Sequence, residues 1–197
     1  MTGEPKRDLR LRLLDARRAM TDAIRADHDR RLCLAAGEWL DSRPDVDTMT
    51  VAAYVPMPNE PGGPGLPGLL APHVRRVLLP IWRDDNDLDW AAYDGNLEAA
   101  DRRPHEPRGP RLGVGAIADA AVVIVPALAV DHGGTRLGRG GGSYDRALTR
   151  LGPDAMALAF VYPDEILTEP VPAEPHDRRV HGALTVDGVH WFVRQSG

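Results

Sequence analysis

Between residues 6 and 20, apolar side chains recur at helical spacing, with Leu9, Leu13, Ala16 and Met20 forming one stripe. Lys6, Arg10 and Arg17 fall on a neighbouring face, Lys6 and Arg10 one turn apart, and the plain reading of that face is solvated basic surface. Thr21 stands where an N-cap would open a second helix running to about Leu40. Its buried side is Ile24, His28, Leu32, Ala35 and Trp39, or the stripe one residue over through Ala36 and Leu40. Pro44 ends the helical pattern.

The pattern then changes period. Met49 to Val55 predicts a buried strand, and the proline- and glycine-crowded stretch to Pro72 predicts a mobile loop or short irregular helix. Arg76 to Ile81 and Asp87 to Tyr93 predict two further strands, with Asp84 to Asp87 as a solvated turn between them. Residues 94–118 are weakly patterned and predict a surface excursion. Ala121 to Val125 is a near-continuous apolar run, the kind buried on both faces of a parallel sheet. A helix over Ser143 to Leu151, a central strand over Met156 to Val161 and a hairpin over Leu184 to Phe192, turning at Asp187-Gly188, complete the pattern. This alternation predicts an α/β fold, a single domain with a mostly parallel sheet and helices on both faces in Rossmann-like layering. Ligands of such sheets bind beyond the carboxyl ends of the strands.

Composition narrows the function. A chain of 197 residues suffices for one well-buried core. The formal net charge of −5 argues against general nucleic-acid binding. Cys33 is the only cysteine, so no internal disulfide forms and a small core residue is its simplest role. No segment approaches the roughly 18 apolar residues that span a bilayer, and the start of the chain does not resemble a signal peptide. A cytoplasmic protein, monomeric or weakly dimeric, is the expectation.

The chemistry concentrates after the apolar run 121–130. Glycine fills six of the ten positions from Gly133 to Gly142, with Arg136 and Arg139 among them and Asp145 closing the segment. Glycines let backbone N–H groups approach an anion closely. A following helix adds its unpaired N–H groups, and the guanidiniums offer charge and planar forks to phosphate oxygens. Asp145 could hold a magnesium ion travelling with the phosphates. The competing reading is a flexible turn. The string is neither a Walker A loop nor a dinucleotide-binding fingerprint, because Gly-Lys-Ser/Thr and Gly-x-Gly-x-x-Gly are both absent.

Two other places carry candidate carboxylates. Glu60 follows a strand end and a proline-rich turn, where a carboxylate could accept hydrogen bonds from a heterocycle, or be a solvated loop acid. Asp177, after His176, is a turn acid or a second carboxylate near a metal with Asp145. No zinc ligand set, serine-hydrolase elbow or reactive-cysteine signature occurs. His73 and His190 read as surface or structural groups.

Residues 125–129, Val-Pro-Ala-Leu-Ala, followed by Arg-Leu-Gly-Arg-Gly-Gly-Gly-Ser-Tyr-Asp-Arg at 136–146, resemble the 5-formyltetrahydrofolate cyclo-ligase (methenyltetrahydrofolate synthetase) family. Lys6 to Arg10, Tyr54 to Glu60, Leu78 to Pro80, Glu106-Pro107 and Pro175 to Asp177 occur in the order that the resemblance requires, so it covers nearly the whole chain. It implies an α/β fold of the CoA-transferase-like kind. It also implies an ATP- and magnesium-dependent ring closure of a reduced folate carrying a formyl group on N5, with release of ADP and phosphate. Carried over by position, Lys6, Arg7, Asp8, Leu9 and Arg10, with Arg136, Leu137, Gly138, Arg139, Gly140, Gly141, Gly142, Ser143 and Tyr144, would contact ATP. Val55, Glu60 and Arg139 to Ser143 would meet the folate. Asp145 and Asp177 would lie at the metal, and Arg136 and Arg139 would stabilise the transferring phosphoryl group.

The chain departs from that family pattern at Ser143, where an aromatic residue is usual, and at Pro61-Gly62-Gly63, where an acidic, helical continuation is usual. Two alternatives stand beside this reading. One is an ATP-using relative acting on another formylated or carboxylated substrate. The other is a non-catalytic nucleotide- or RNA-binding module, disfavoured by the overall acidity and the lack of an aromatic stacking motif.

Overall fold

The computed structural model describes residues 3–99 and 104–192. Two helices, α1 (Gly3–Ala19) and α2 (Asp22–Asp41), lead into β1 (Thr50–Ala52). A short helix, α3 (Leu66–Leu70), precedes β2 (Arg76–Trp82) and β3 (Leu88–Ala92), and two short strands, β4 (Leu97–Glu98) and β5 (Glu106–Pro107), pair with each other. Then come β6 (Val122–Pro126), β7 (Ala129–Asp131), β8 (Arg136–Leu137), α4 (Ser143–Leu148), β9 (Met156–Phe160), β10 (Ile166–Leu167), β11 (Gly182–Thr185) and β12 (Gly188–Trp191). The weakly patterned excursion thus contains β4 and β5, while its residues 100–103 lie outside the described residues.

The central sheet runs in the order β12-β11-β9-β6-β1-β2-β3. Its five inner strands are parallel, and the antiparallel partners β3 and β12 close the two edges. This is the mostly parallel α/β architecture the sequence pattern predicts. Val122, Val123, Ile124 and Val125 of β6 have no solvent exposure, which is why that strand is apolar at consecutive positions. A second sheet, β10-β7-β8, stands apart from the first.

Helix α2 opens as expected, with the Ile24 N–H donating to Thr21 Oγ1 at 3.4 Å. Of its two candidate stripes the shifted one is buried, through Leu32, Cys33, Ala36, Gly37 and Leu40, while Ile24 stays exposed. Helix α2 packs against α3 and over β11 and β12. The segment expected to be loose is packed instead. Glu60 to Gly63 and Leu66, Pro67 and Leu70 are buried, because α3 presents apolar residues to the core and the preceding turn is tied down by side chains.

Helix α1 overturns its expectation. Ala16 is exposed, whereas Lys6 and Arg17 are 5% and 2% exposed, so the basic face points inward. Leu9, Leu13 and Leu14 pack on Leu128, Ala129, Leu137 and Val171 of the small sheet and its surroundings. That surface carries acids, which explains why cations can be buried there. Arg17 grips Glu165 with two hydrogen bonds, Nε to Oε1 at 2.6 Å and Nη2 to Oε2 at 2.7 Å. The same guanidinium donates to the Ala127 carbonyl at 2.6 Å and lies 5.3 Å from the centre of the Tyr162 ring.

Between β6 and the glycine-rich loop stands the β7–β8 hairpin, whose turn takes up Gly133 and Gly134. Asp131 closes that hairpin, its Oδ1 accepting from the N–H groups of Gly133 (2.9 Å) and Thr135 (2.8 Å), and its Oδ2 from Val171 at 2.8 Å. Helix α4 also ends at Leu148, three residues earlier than the sequence pattern predicts.

Removing the Arg17 guanidinium would strand Glu165 as a buried, unpaired carboxylate, and breaking such a pair typically costs about 3–5 kcal/mol. Arg17→Met is therefore expected to lower unfolding free energy by roughly that amount in urea denaturation. A loss below about 1 kcal/mol, the scale of an exposed pair, would contradict the clamp.

Candidate active site

One cleft collects most of the residues singled out by sequence. Lys6 and Arg10 reach it from α1, Tyr54, Val55, Met57 and Glu60 from the end of β1 and its following turn, and Pro80 and Trp82 from β2. Residues 126–128, 136–145 and Glu174, His176 and Asp177 complete the wall, enclosing about 1020 Å³ that includes space open to solvent. Among the α1 candidates, Arg7 and Asp8 are exposed and Leu9 packs in the small leucine cluster, so none of the three lines the cleft. Helical geometry is the reason, since only residues one turn apart share a face.

Each cation in the cleft is bound to the protein itself. Lys6 Nζ sits 2.6 Å from Asp177 Oδ2 and 3.3 Å from Glu174 Oε2. Arg136 Nη2 donates to Asp145 Oδ1 at 2.8 Å, and Arg139 Nε to Glu60 Oε1 at 2.7 Å. Arg10 Nε donates to the Gly138 carbonyl at 2.9 Å, joining α1 to the glycine loop. Glu60 is fixed from its other side as well. Its Oε2 accepts the Met57 N–H at 2.8 Å, and its own N–H donates to the Met57 carbonyl at 3.0 Å, across a turn in which Asn59 has φ 68°. Asp177 also accepts the Glu174 N–H at 2.7 Å. Burial pushes the Asp177 pKa up, but the hydrogen bonds and charge from Lys6, Glu174 and His176 outweigh it and hold the carboxyl below its ordinary value.

Within the glycine loop, Gly140 and Gly142 have φ of 104° and 68°, conformations that side chains disfavour. Gly141 is different, since a Cβ there would meet only Ser143 Oγ, at 3.6 Å. Nothing inside the protein demands a glycine at 141. Arg146 props the loop by donating to the Gly141 carbonyl at 3.0 Å and to the Asn86 carbonyl at 2.6 Å.

Three buried polar atoms of the cleft have no hydrogen-bond partner among the described residues: Arg136 Nε, Ser143 Oγ and Tyr144 Oη. Orphaned buried groups are costly unless a ligand satisfies them. Burial, reinforced by the charge of Glu60, pushes the Tyr144 pKa far up, so its phenol remains a hydrogen-bond donor. Tyr54 is raised by burial and Glu60 likewise, and its hydroxyl is spent on the Pro61 carbonyl at 2.5 Å.

The two acids expected at a metal both line the cleft, yet they differ. The group of donor atoms within 4.8 Å of one another is Glu174, His176 and Asp177, and Asp145 is not in it. Asp145 Oδ1 is occupied by Arg136 and by the Arg178 N–H at 3.1 Å. The sequence reading did not single out Glu174 or Trp82, and it quoted Tyr54, Met57 and Arg146 within the family-like segments without giving them a site role. Glu174 alone left a signal, as an acid three residues before Asp177 in a proline-flanked turn.

Residues 2–186 match the model of the 5-formyltetrahydrofolate cyclo-ligase family. A 5-formyltetrahydrofolate cyclo-ligase of Mycolicibacterium smegmatis is 41% identical over 191 residues, covering 94% of this chain and 95% of that protein. The fold is similar to a 5,10-methenyltetrahydrofolate synthetase of Aquifex aeolicus, with TM-score 0.75, 25% identity and coverage of 98% of this chain and 94% of that one. It is similar also to a 5,10-methenyltetrahydrofolate synthetase of Mycoplasma pneumoniae, with TM-score 0.72 at 19% identity over 92% of this chain and 98% of that one.

Because the Tyr144 hydroxyl has no partner among the described residues, Tyr144→Phe removes a buried unsatisfied group and is expected to leave the ligand-free protein as stable or up to about 1 kcal/mol more stable. Thermal unfolding checks this, and a loss of about 1 kcal/mol or more would mean that the hydroxyl serves the fold.

Proposed function

The chain belongs to the 5-formyltetrahydrofolate cyclo-ligase family, and from that premise we propose how its cleft closes 5-formyltetrahydrofolate to 5,10-methenyltetrahydrofolate at the expense of ATP. The observation that carries this reading is the meeting of three acid-paired cations, three orphaned polar atoms and the anchored Glu60 in one cleft. An oxygen-rich polyanion and a nitrogen heterocycle together would satisfy that set.

In the proposed reaction the formyl oxygen attacks the γ-phosphorus of ATP and ADP leaves. The resulting imidoyl phosphate carries a good leaving group. Folate N10 attacks the formyl carbon, its proton passes to solvent, and phosphate departs to give the five-membered methenyl ring. No protein nucleophile takes part, so catalysis is positioning and charge stabilisation. Lys6, Arg136 and Arg139 would offset phosphate charge, and backbone N–H groups of Gly140 to Gly142 would do so at close range. Glu60, released from Arg139, would accept hydrogen bonds from pterin N–H groups. Val55 would pack beside the ring, and Ser143 and Tyr144 would donate to ligand oxygens.

The donor set suits magnesium, since Asp145, Asp177 and Glu174 offer hard oxygen ligands beside the cationic side chains proposed to bind phosphate. The pairing supports the same assignment. Asp177 is bound to Lys6 and Asp145 to Arg136, so cations that turn toward phosphates would free both carboxylates at once. Magnesium held there would neutralise phosphate charge. No helix among the described residues is long and apolar enough to cross a membrane. A cytoplasmic enzyme acting on small molecules is the proposed setting.

Incubation with 5-formyltetrahydrofolate, ATP and magnesium should yield methenyl-folate absorbance and ADP in equal amounts, and omission of either substrate should abolish both. ADP release without ring closure would point to another acceptor and contradict the reading. A sharper check uses Gly141→Val. The site tolerates a Cβ in the empty protein, so folding should survive while the branched side chain holds phosphate off the backbone. A displacement of that size is expected to cost about a hundredfold in kcat/KM for ATP. Unchanged nucleotide kinetics would remove the backbone cradle from the mechanism.

A further inference from the structure

Beneath the Glu60 turn lies a carboxylate that the reaction above does not use. Asp29 projects from α2, outside the lining of the cleft, and its Oδ1 accepts two hydrogen bonds. One comes from the Gly62 N–H at 2.9 Å, the other from the Tyr162 hydroxyl at 3.0 Å. Gly62 has φ 94°, and its carbonyl accepts from the Cys33 thiol at 3.5 Å. The preceding carbonyl, of Pro61, takes the Tyr54 hydroxyl. The turn that carries Glu60 is therefore hung on three side chains, and of these Asp29 alone is a carboxylate and alone reaches a backbone N–H.

The other end of this chain of contacts also reaches the cleft. The Tyr162 N–H donates to Glu165 Oε2 at 2.8 Å, and Glu165 holds Arg17. Arg17 in turn donates to the carbonyl of Ala127, a residue of the cleft wall. A chain of side-chain hydrogen bonds thus joins the Glu60 turn to Ala127, the residue after the end of β6. Burial pushes the Asp29 pKa up against the pull of Tyr162 and Gly62.

We infer that Asp29 is a positioning residue for the folate substrate: by holding Gly62 it sets where the Glu60 carboxylate meets the pterin. This rests on the assignment of Glu60 to the folate made above. The effect falls mainly on the folate, because Lys6, Arg136 and the Gly141 carbonyl are held by other contacts and, of the proposed phosphate cations, Arg139 alone touches Glu60. Loss of Asp29 should weaken folate recognition and leave nucleotide recognition alone.

The test is steady-state kinetics of the full chain with both substrates varied. Asp29→Ala is expected to raise KM for 5-formyltetrahydrofolate about tenfold, the scale of a hydrogen bond to a charged group, and to leave KM for ATP within about twofold. Asp29→Asn keeps an acceptor oxygen for Gly62 and Tyr162 and should restore folate KM to within about twofold of the unsubstituted chain. Tyr162→Phe removes one donor only and should shift folate KM about threefold in the same direction, which keeps the question open to measurement if Asp29→Ala does not fold. Equal rises in both KM values would reveal a merely structural role and overturn the inference. So would an unchanged folate KM, or an Asn variant as impaired as Ala. An unsubstituted chain that makes no methenyl-folate would instead strike at the proposed function and take this inference down with it.

Discussion

Cations enclosed in a half-dry cleft must be neutralised before any ligand arrives, since an unpaired buried charge costs several kcal/mol in typical proteins. This chain meets that constraint with its own acids. Lys6 is matched to Asp177 and Glu174 and Arg136 to Asp145, while in the third pair the buried charge is Glu60 and the exposed Arg139 neutralises it. The pairs set the separation of α1, the glycine loop and the Glu60 turn. They also keep a basic site compatible with a chain whose net charge is −5. A triphosphate that takes the three cations would release three acids, and each has a use. Two suit a divalent cation and one suits the N–H edge of a pterin. Substrate binding on this account is an exchange of partners and not the filling of a bare positive pocket.

The exchange depends on the backbone staying where it is. Helix α1 is held at its far end by the bidentate Arg17–Glu165 pair, and near its start it presents Lys6 and Arg10 to the cleft. Its leucines add only a small apolar cluster, so the ion pair bears much of the attachment. The glycine loop is braced by Arg10 on one side and Arg146 on the other. Between these braces Gly141 needs no glycine for its own conformation, which fits the proposed approach of a ligand to its backbone. The orphaned atoms of Arg136, Ser143 and Tyr144 make the same point from the side-chain direction.

Much of this was legible in residue order. Continuous apolar runs marked the inner strands, because a parallel sheet covered on both faces excludes polar residues from either side, as β6 shows. The glycine-arginine segment and Glu60 were visible because their residue types are unusual after a strand end. What stayed hidden was tertiary. Arg17 reads as surface on a helical wheel, and only the fold reveals Glu165 waiting 148 residues away. The β7–β8 hairpin was missed because Asp131 closes it with side-chain hydrogen bonds to Gly133, Thr135 and the distant Val171, while the flanking strands are too short to show a period. The packed Pro61 to Leu70 segment misled because prolines and glycines signal turns whether or not the turn is buried.

Partner exchange is tested most directly by a crystal structure of the chain with a non-hydrolysable ATP analogue, magnesium and 5-formyltetrahydrofolate. The account predicts that Lys6, Arg136 and Arg139 leave their carboxylates for the triphosphate, that Asp145 and Asp177 face the metal, and that Glu60 lies against the pterin. A nucleotide bound elsewhere, with the three ion pairs intact, would contradict it.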